Sequence, residues 1–133
     1  MISLEQLVGK SQTVEVKIDE SCLWNEDQEM SLFHFASTSG LCALLFHVAF
    51  NLIQPFLDEN IVNVVVEANV RHLNPVKVGE VVAAGIRVVD VSGNRIKFRG
   101  IIMKGETKIL EAEFVRCVVS RNYLRRLSVE KTS

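Results

Sequence analysis

From Gln12 to Ile18 apolar and polar residues alternate, with Val14, Val16 and Ile18 on one side and Thr13, Glu15 and Lys17 on the other. This period of two predicts a half-buried strand. A polar stretch, Asp19 to Glu29, follows, and Met30 to Ala36 then places Leu32, Phe33, His34 and Phe35 in a row without a clean period. That segment reads as a loop with aromatic anchors. The cluster Ser37-Thr38-Ser39-Gly40 offers hydroxyls to cap free backbone N–H groups, and helix formers continue to Gln54 before Pro55 closes the run. A helix starting near Thr38 is predicted. Its apolar residues, from Leu41 through Phe46 and Phe50 to Ile53, cover nearly the whole circumference, so it must be enclosed rather than laid on a surface. Four extended segments come next, Ile61 to Leu73, Glu80 to Val91, Arg95 to Met103 and Thr107 to Val119. Their short connections carry Pro, Gly or Asn, which suits antiparallel neighbours. Alternation places Val62, Val64, Val66, Ala68 and Val70 on one face, and likewise Ile96, Phe98, Gly100 and Ile102, and Leu110, Ala112 and Phe114.

A strand, a helix and four more strands, with the helix apolar all round, predict an α+β fold in which a curved, antiparallel five-stranded sheet wraps a central helix. One sheet cannot cover every side of that helix. The remaining surface and the edge strand call for a second copy, hence a homodimer or a dimer of dimers. The expected organisation is a single domain over residues 1–133, with a core at about 12–121 and a C-terminal tail at about 122–133, frayed from Ser128 to Ser133.

Composition narrows the partners. With 15 basic against 16 acidic side chains and a formal charge of -1, nothing favours nucleic acid or an anionic membrane. The apolar run from Leu41 to Ile53 contains His47 and Asn51 and falls short of the ~20 residues a bilayer core requires. Cys22, Cys42 and Cys117 are odd in number and far apart, without metal-site spacing, so they read as reduced core thiols and no metal is expected. Met1 to Lys10 has no basic start leading into an apolar run, which points to the cytoplasm.

Two places can carry chemistry. At the helix start, backbone N–H groups near Ser39 and Gly40 are unpaired and carry partial positive charge, and Gly40 lets a ligand approach closely. His72, at the end of a strand, can take or give a proton at neutral pH. The plainer alternatives are a simple cap at Ser37 to Gly40 and a surface histidine at a turn. His47, Asn51 and Gln54 share a helix stripe and read as a polar dimer seam, while His34 sits in a loop.

Three short stretches resemble the fluoroacetyl-CoA thioesterase branch of the hotdog superfamily. They are Phe35-Ala36-Ser37-Thr38-Ser39-Gly40-Leu41, Val70-Arg71-His72-Leu73-Asn74-Pro75 continuing to Val78-Gly79-Glu80, and Glu113-Phe114-Val115-Arg116-Cys117-Val118-Val119. The resemblance runs from about Met30 to Arg121 and implies a hotdog fold. It also implies an acyl-CoA thioesterase that hydrolyses a small or medium acyl thioester, with Thr38 and His72 catalytic and water activated between them. Ser39 and Gly40 would then bind the substrate, Phe33 and Phe35 would form a lid over the acyl group, and coenzyme A would enter only as part of the substrate. Arg121, Arg125, Arg126 and Lys131 either meet its phosphates or belong to a solvated terminal helix or tail. The family's third catalytic residue is a glutamate eight positions beyond the threonine, where this chain has Phe46. His47 is no simple substitute, because one helical step turns a side chain by about 100°. Phe46 is therefore assigned to the substrate pocket, and a non-catalytic acyl-CoA-binding module stands as the alternative. A hotdog dehydratase lacks its Asp-x5-His pairing here, and Ser39 lacks the upstream glycine of a Gly-x-Ser-x-Gly elbow.

Overall fold

The computed structural model describes residues 3–132. Its elements are β1 (Ser11–Lys17), α1 (Thr38–Ile53), β2 (Ile61–His72), β3 (Val81–Ser92), β4 (Arg95–Lys104), β5 (Thr107–Ser120) and α2 (Arg121–Thr132), with short 3-10 turns at Leu4–Leu7, Glu20–Cys22, Met30–Phe33 and Gln54–Phe56. All strand pairs are antiparallel, and the sheet order is β1-β3-β4-β5-β2. The expected strands and helix thus stand where the hydrophobic pattern placed them. β1 and β2 end up as the two edges.

The helix lies on the concave side of the sheet. Leu41, Leu45, Ala49 and Ile53, one residue per turn, are fully buried against the face that carries Ile102, Leu110, Phe98 and Phe114. Each such side chain contributes roughly 1.5–3 kcal/mol by leaving water. Gly100 makes room for the helix, since a Cβ there would come within 3.0 Å of Leu45. Phe114 stacks on Phe98 with ring centroids 5.0 Å apart and meets Phe46 edge-on at 4.9 Å. With its 3-10 extension the helix is 19 residues long and apolar enough to cross a membrane by length and composition. Here it is the core helix of a sheet. It is not enclosed on every side, however: Ala43, His47 and Asn51 are exposed, and Phe46 and Phe50 are half-buried.

Three expectations are corrected. A bulge between Val65 and Glu67 inserts Val66 without a partner and reverses the phase of β2. Ala68 and Val70 face the helix as the alternation required, but before the bulge Asn63 and Val65 do so, with Asn63 1% exposed, and Val62 and Val64 lie on the outer face. The C-terminal stretch takes the helical one of its two expected forms rather than the tail: α2 continues from β5 without a loop, and Arg121 anchors it through its N–H to Asn60 O and its Nε–H to Glu59 O, both at 2.8 Å. Ser133, the last residue of the expected frayed end, lies outside the described residues. Gln54 leaves the stripe of His47 and Asn51, because its side-chain amide donates to Ile61 O and accepts from Asn63.

Ser37 caps α1, its hydroxyl accepting the Gly40 N–H at 3.0 Å. Ser37→Ala is expected to lower stability by about 1 kcal/mol, read as a lower urea midpoint at unchanged slope. Glu80 links the turn before β3 to β4. The Lys104 ammonium, and then the Lys77 N–H, hold its carboxyl below its ordinary value. A depressed carboxylate adds stability that is fully present above the ordinary value of 4.5 and is lost as pH falls through the lower folded value. The Tm of Glu80→Gln should therefore fall less steeply than that of the parent between about pH 6 and pH 3, and the two curves should converge at the acid end.

Candidate active site

The approach to α1 is held from two sides. Ala36 N–H donates to Val76 O at 2.8 Å, Ser37 N–H donates to Cys22 O at 2.7 Å, and isolated bridges join Leu23 to Ala36 and Phe35 to Lys77. These contacts fix the entry angle of the chain, so Thr38 begins the helix in a defined direction. Gly40 lies against the backbone of Cys22, where an added Cβ would approach Cys22 Cα to 2.7 Å. Beside the expected role in ligand approach, Gly40 has one in packing: its missing side chain is needed by Cys22, and its N–H is occupied by Ser37. The N–H groups of Thr38 and Ser39 are the ones with no acceptor among the described residues. They point from a helix N-terminus, where partial positive charge accumulates.

His72 reaches the same point from β2. Opposite Leu110 in the register, it is the last residue of the strand before Leu73 and Asn74 both donate N–H groups to Ile109 O. Alternation sends Arg71 to the outer face, to Glu111 at 3.1 Å, and His72 inward. Thr38 Oγ1 and His72 Nδ1 lie 2.8 Å apart, within hydrogen-bonding distance, joining residues 34 positions apart in sequence. His72 Nε2 is buried and has no hydrogen-bond partner among the described residues. With Nδ1 accepting, the Thr38 hydroxyl donates to the ring and turns its lone pairs outward.

The other expected site residues divide. Ser39 is exposed beside the pair, its hydroxyl 3.3 Å from that of Ser37. Phe33 is 50% exposed and its neighbour Leu32 72%. Both lie on the 3-10 turn before the helix, which His34 ends in a left-handed conformation at φ 62°. Phe35 is half-buried, with the Lys77 ammonium 5.7 Å above its ring. Phe46 does not join the Thr38–His72 pair. It lies about 12 Å further along the helix axis, its ring against Phe114 and its carbonyl accepting from Arg116 Nη1 at 3.1 Å.

Sequence reading missed a buried polar cluster beyond Phe46. Arg116 Nε donates to Asn63 Oδ1 and Nη2 to Asn63 O, the guanidinium lies 5.5 Å from the Phe50 ring, and Asn63 also donates to Gln54. Burial pulls the Arg116 pKa down to about 10. The signal was present, because Arg116 continues the apolar row Leu110, Ala112, Phe114. Burial pushes the Cys22 and Cys42 thiols up, keeping them protonated and poor nucleophiles. No group of three or more potential metal ligands forms among the described residues.

No curated protein compared with this chain matches it in sequence. Solved structures do match in shape. A hot-dog-like protein from Thermanaerovibrio acidaminovorans superposes with a TM-score of 0.89 at 23% identity, covering 99% of this chain and 98% of its own. The fluoroacetyl-CoA thioesterase FlK gives 0.83 at 19% identity, over 95% and 97% of the two chains. A thioesterase superfamily member from Thermus thermophilus gives 0.83 at 16%, over 94% and 92%. FlK itself has been solved in complex with fluoroacetate and CoA, as a variant. Likeness at these identities establishes the hotdog fold. The family is shown by sequence, for the model of the fluoroacetyl-CoA-specific thioesterases matches residues 18–122. That span runs from the end of β1 to the start of α2 and takes in both Thr38 and His72, so the chain belongs to the FlK thioesterase family.

Proposed function

We propose that this protein hydrolyses small or medium acyl-CoA thioesters, with Thr38 and His72 acting at the N-terminus of α1. The observation that carries this reading is the 2.8 Å contact between Thr38 Oγ1 and His72 Nδ1 beside two free backbone N–H groups. Thioester hydrolysis needs a nucleophile aimed at the carbonyl carbon, a base for its proton and donors for the oxyanion. Water held by the Thr38 oxygen attacks, its proton passing to Thr38 Oγ1 as the Thr38 hydroxyl proton passes to His72 Nδ1. The N–H groups of Thr38 and Ser39 bear the oxyanion until the coenzyme A thiolate leaves with a proton. Phe33 and Phe35 cover the acyl group, with the exposed Leu32 beside them. Coenzyme A takes part as the leaving half of the substrate, and the reading needs no further cofactor.

The working unit is a homodimer joined along β2. That edge is 12 residues long, is unpaired on its outer side and carries Val66 at 48% exposure, which suits pairing with a second copy. Half-buried Phe46 and Phe50 continue the same apolar surface onto α1.

A second reading is a binding module that holds acyl-CoA without cleaving it. It is favoured by Phe46 in place of the family's glutamate and by the lack of any carboxylate bonded to His72 among the described residues. Purified protein offered a panel of acyl-CoA esters, fluoroacetyl-CoA included, separates the two. Steady release of free thiol is expected. A rise in Tm with acyl-CoA but no thiol would establish the binding module, and neither response would remove both.

A further inference from the structure

The face of the sheet that turns away from α1 is hollowed into a groove of about 600 Å³, running from Thr13 on β1 to Asn69 and Arg71 on β2. Two cross-strand rows build it. One reads Arg87, Arg99, Glu113, Asn69, and the other Thr13, Gly85, Ile101, Glu111, Arg71. Gly85, without a side chain of its own, makes room for that of Thr13, whose Oγ1 would lie 2.9 Å from a Cβ there. Ile101 and the backbone around Gly100 and Ala112 make the rest of the floor apolar. The volume is that of a small-molecule site.

Its charges do not balance. Arg87 and Arg99 stand directly opposite each other across β3 and β4, an arrangement that destabilises an antiparallel pair. Both carboxylates of the groove are already shared. Glu113 takes Arg99 at 3.2 Å and Lys97 at 3.7 Å, and Glu111 takes Arg71 and Lys108, each at 3.1 Å. The Arg87 side chain has no hydrogen bond or ion pair among the described residues. The lining therefore holds three arginines against two glutamates, and the surplus cation stands over an apolar floor.

We infer that this groove binds a small amphiphilic anion, its carboxylate or phosphate head between Arg87 and Arg99 and its apolar body along Gly85 and Ile101. An anion there relieves the repulsion between the two guanidinium groups and covers the floor at once. A second copy of the chain fits less well. Sheet faces pack about 10 Å apart on matching surfaces, and two hollowed faces would enclose both voids. The sheet separates this groove from Thr38 and His72, so either site can fail without the other.

Calorimetric titration of the full chain tests this with octanoate, octyl phosphate and uncharged octanol. Saturable binding of octanoate or octyl phosphate is expected, the tighter of the two identifying the head group, with octanol at least tenfold weaker. Arg87→Glu should weaken anion binding at least tenfold, and Arg87→Lys should recover most of it. Thiol release from acyl-CoA should be the same in all three proteins. The inference is overturned if neither anion binds, if octanol binds as well, or if Arg87→Glu leaves the affinity unchanged. A concentration-dependent doubling of mass that Arg87→Glu abolishes would overturn it in favour of a copy-to-copy interface.

Discussion

Replacing His72 by alanine is expected to lower kcat/KM for acyl-CoA hydrolysis by roughly 10²- to 10⁴-fold, the usual contribution of a positioned proton acceptor. The fall should be mainly in kcat, because His72 meets the developing charge rather than the bound ester. Thr38 gives the matching test from the other side of the contact. Thr38→Ser keeps the hydroxyl 2.8 Å from Nδ1 and should retain most of the rate, whereas Thr38→Val keeps the shape without the hydroxyl and should lose it. His72 ends its strand, and among the described residues only Thr38 bonds its ring, so Tm should change little in the alanine variant. Thiol release from an acyl-CoA panel and a melting curve on the same preparation make the check. An unchanged rate in His72→Ala would remove this pair from the chemistry.

The fold was largely legible because its main devices are local. Strand alternation, a hydroxyl cluster before an apolar helix and Pro55 after it are written in neighbouring residues, and the observed elements match them to within a residue or two. The fold family needed the three short motifs as well. Thr38 and His72 were legible as a pair only through them, for nothing local to either residue specifies a contact across 34 positions.

What escaped depended on pairing rather than on period. The bulge at Val66 is set by the register of β2 against β5, and it exchanges the faces of Val62, Val64 and Asn63. Arg116 sits in an apolar row because Asn63 and the carbonyl of Phe46 are there to receive it, and those partners lie 53 and 70 positions away. The anchoring of the C-terminal helix escaped for a related reason. Arg121 holds its start through backbone oxygens of Glu59 and Asn60, a contact with no pattern in the sequence of α2. The outer groove is the same kind of feature, since Arg87 faces Arg99 only through the pairing of β3 with β4.

Gly40 separates two accounts of the helix entrance. Were its missing side chain there to admit the ligand, Gly40→Ala would raise KM and also raise Tm, since alanine is the better helix former by about 1 kcal/mol. The close approach of Cys22 predicts the reverse. A Cβ would stand 2.7 Å from Cys22 Cα and 2.9 Å from its Cβ, and backbone on both sides must move to admit it. Forced overpacking of this kind costs about 1–3 kcal/mol, a fall of several degrees in Tm for a chain of this size. The displaced turn carries Thr38, so kcat/KM should fall about tenfold or more as well, given that an error of roughly 1 Å in a reacting group can cost 10²-fold. Ser39→Ala is the control, because it alters the neighbouring exposed residue, keeps its N–H and should stay within about 0.5 kcal/mol. A stable Gly40→Ala with normal kcat would show that Cys22 gives way, and the entrance would then be set by the Ser37 cap and its bond to Cys22 O alone.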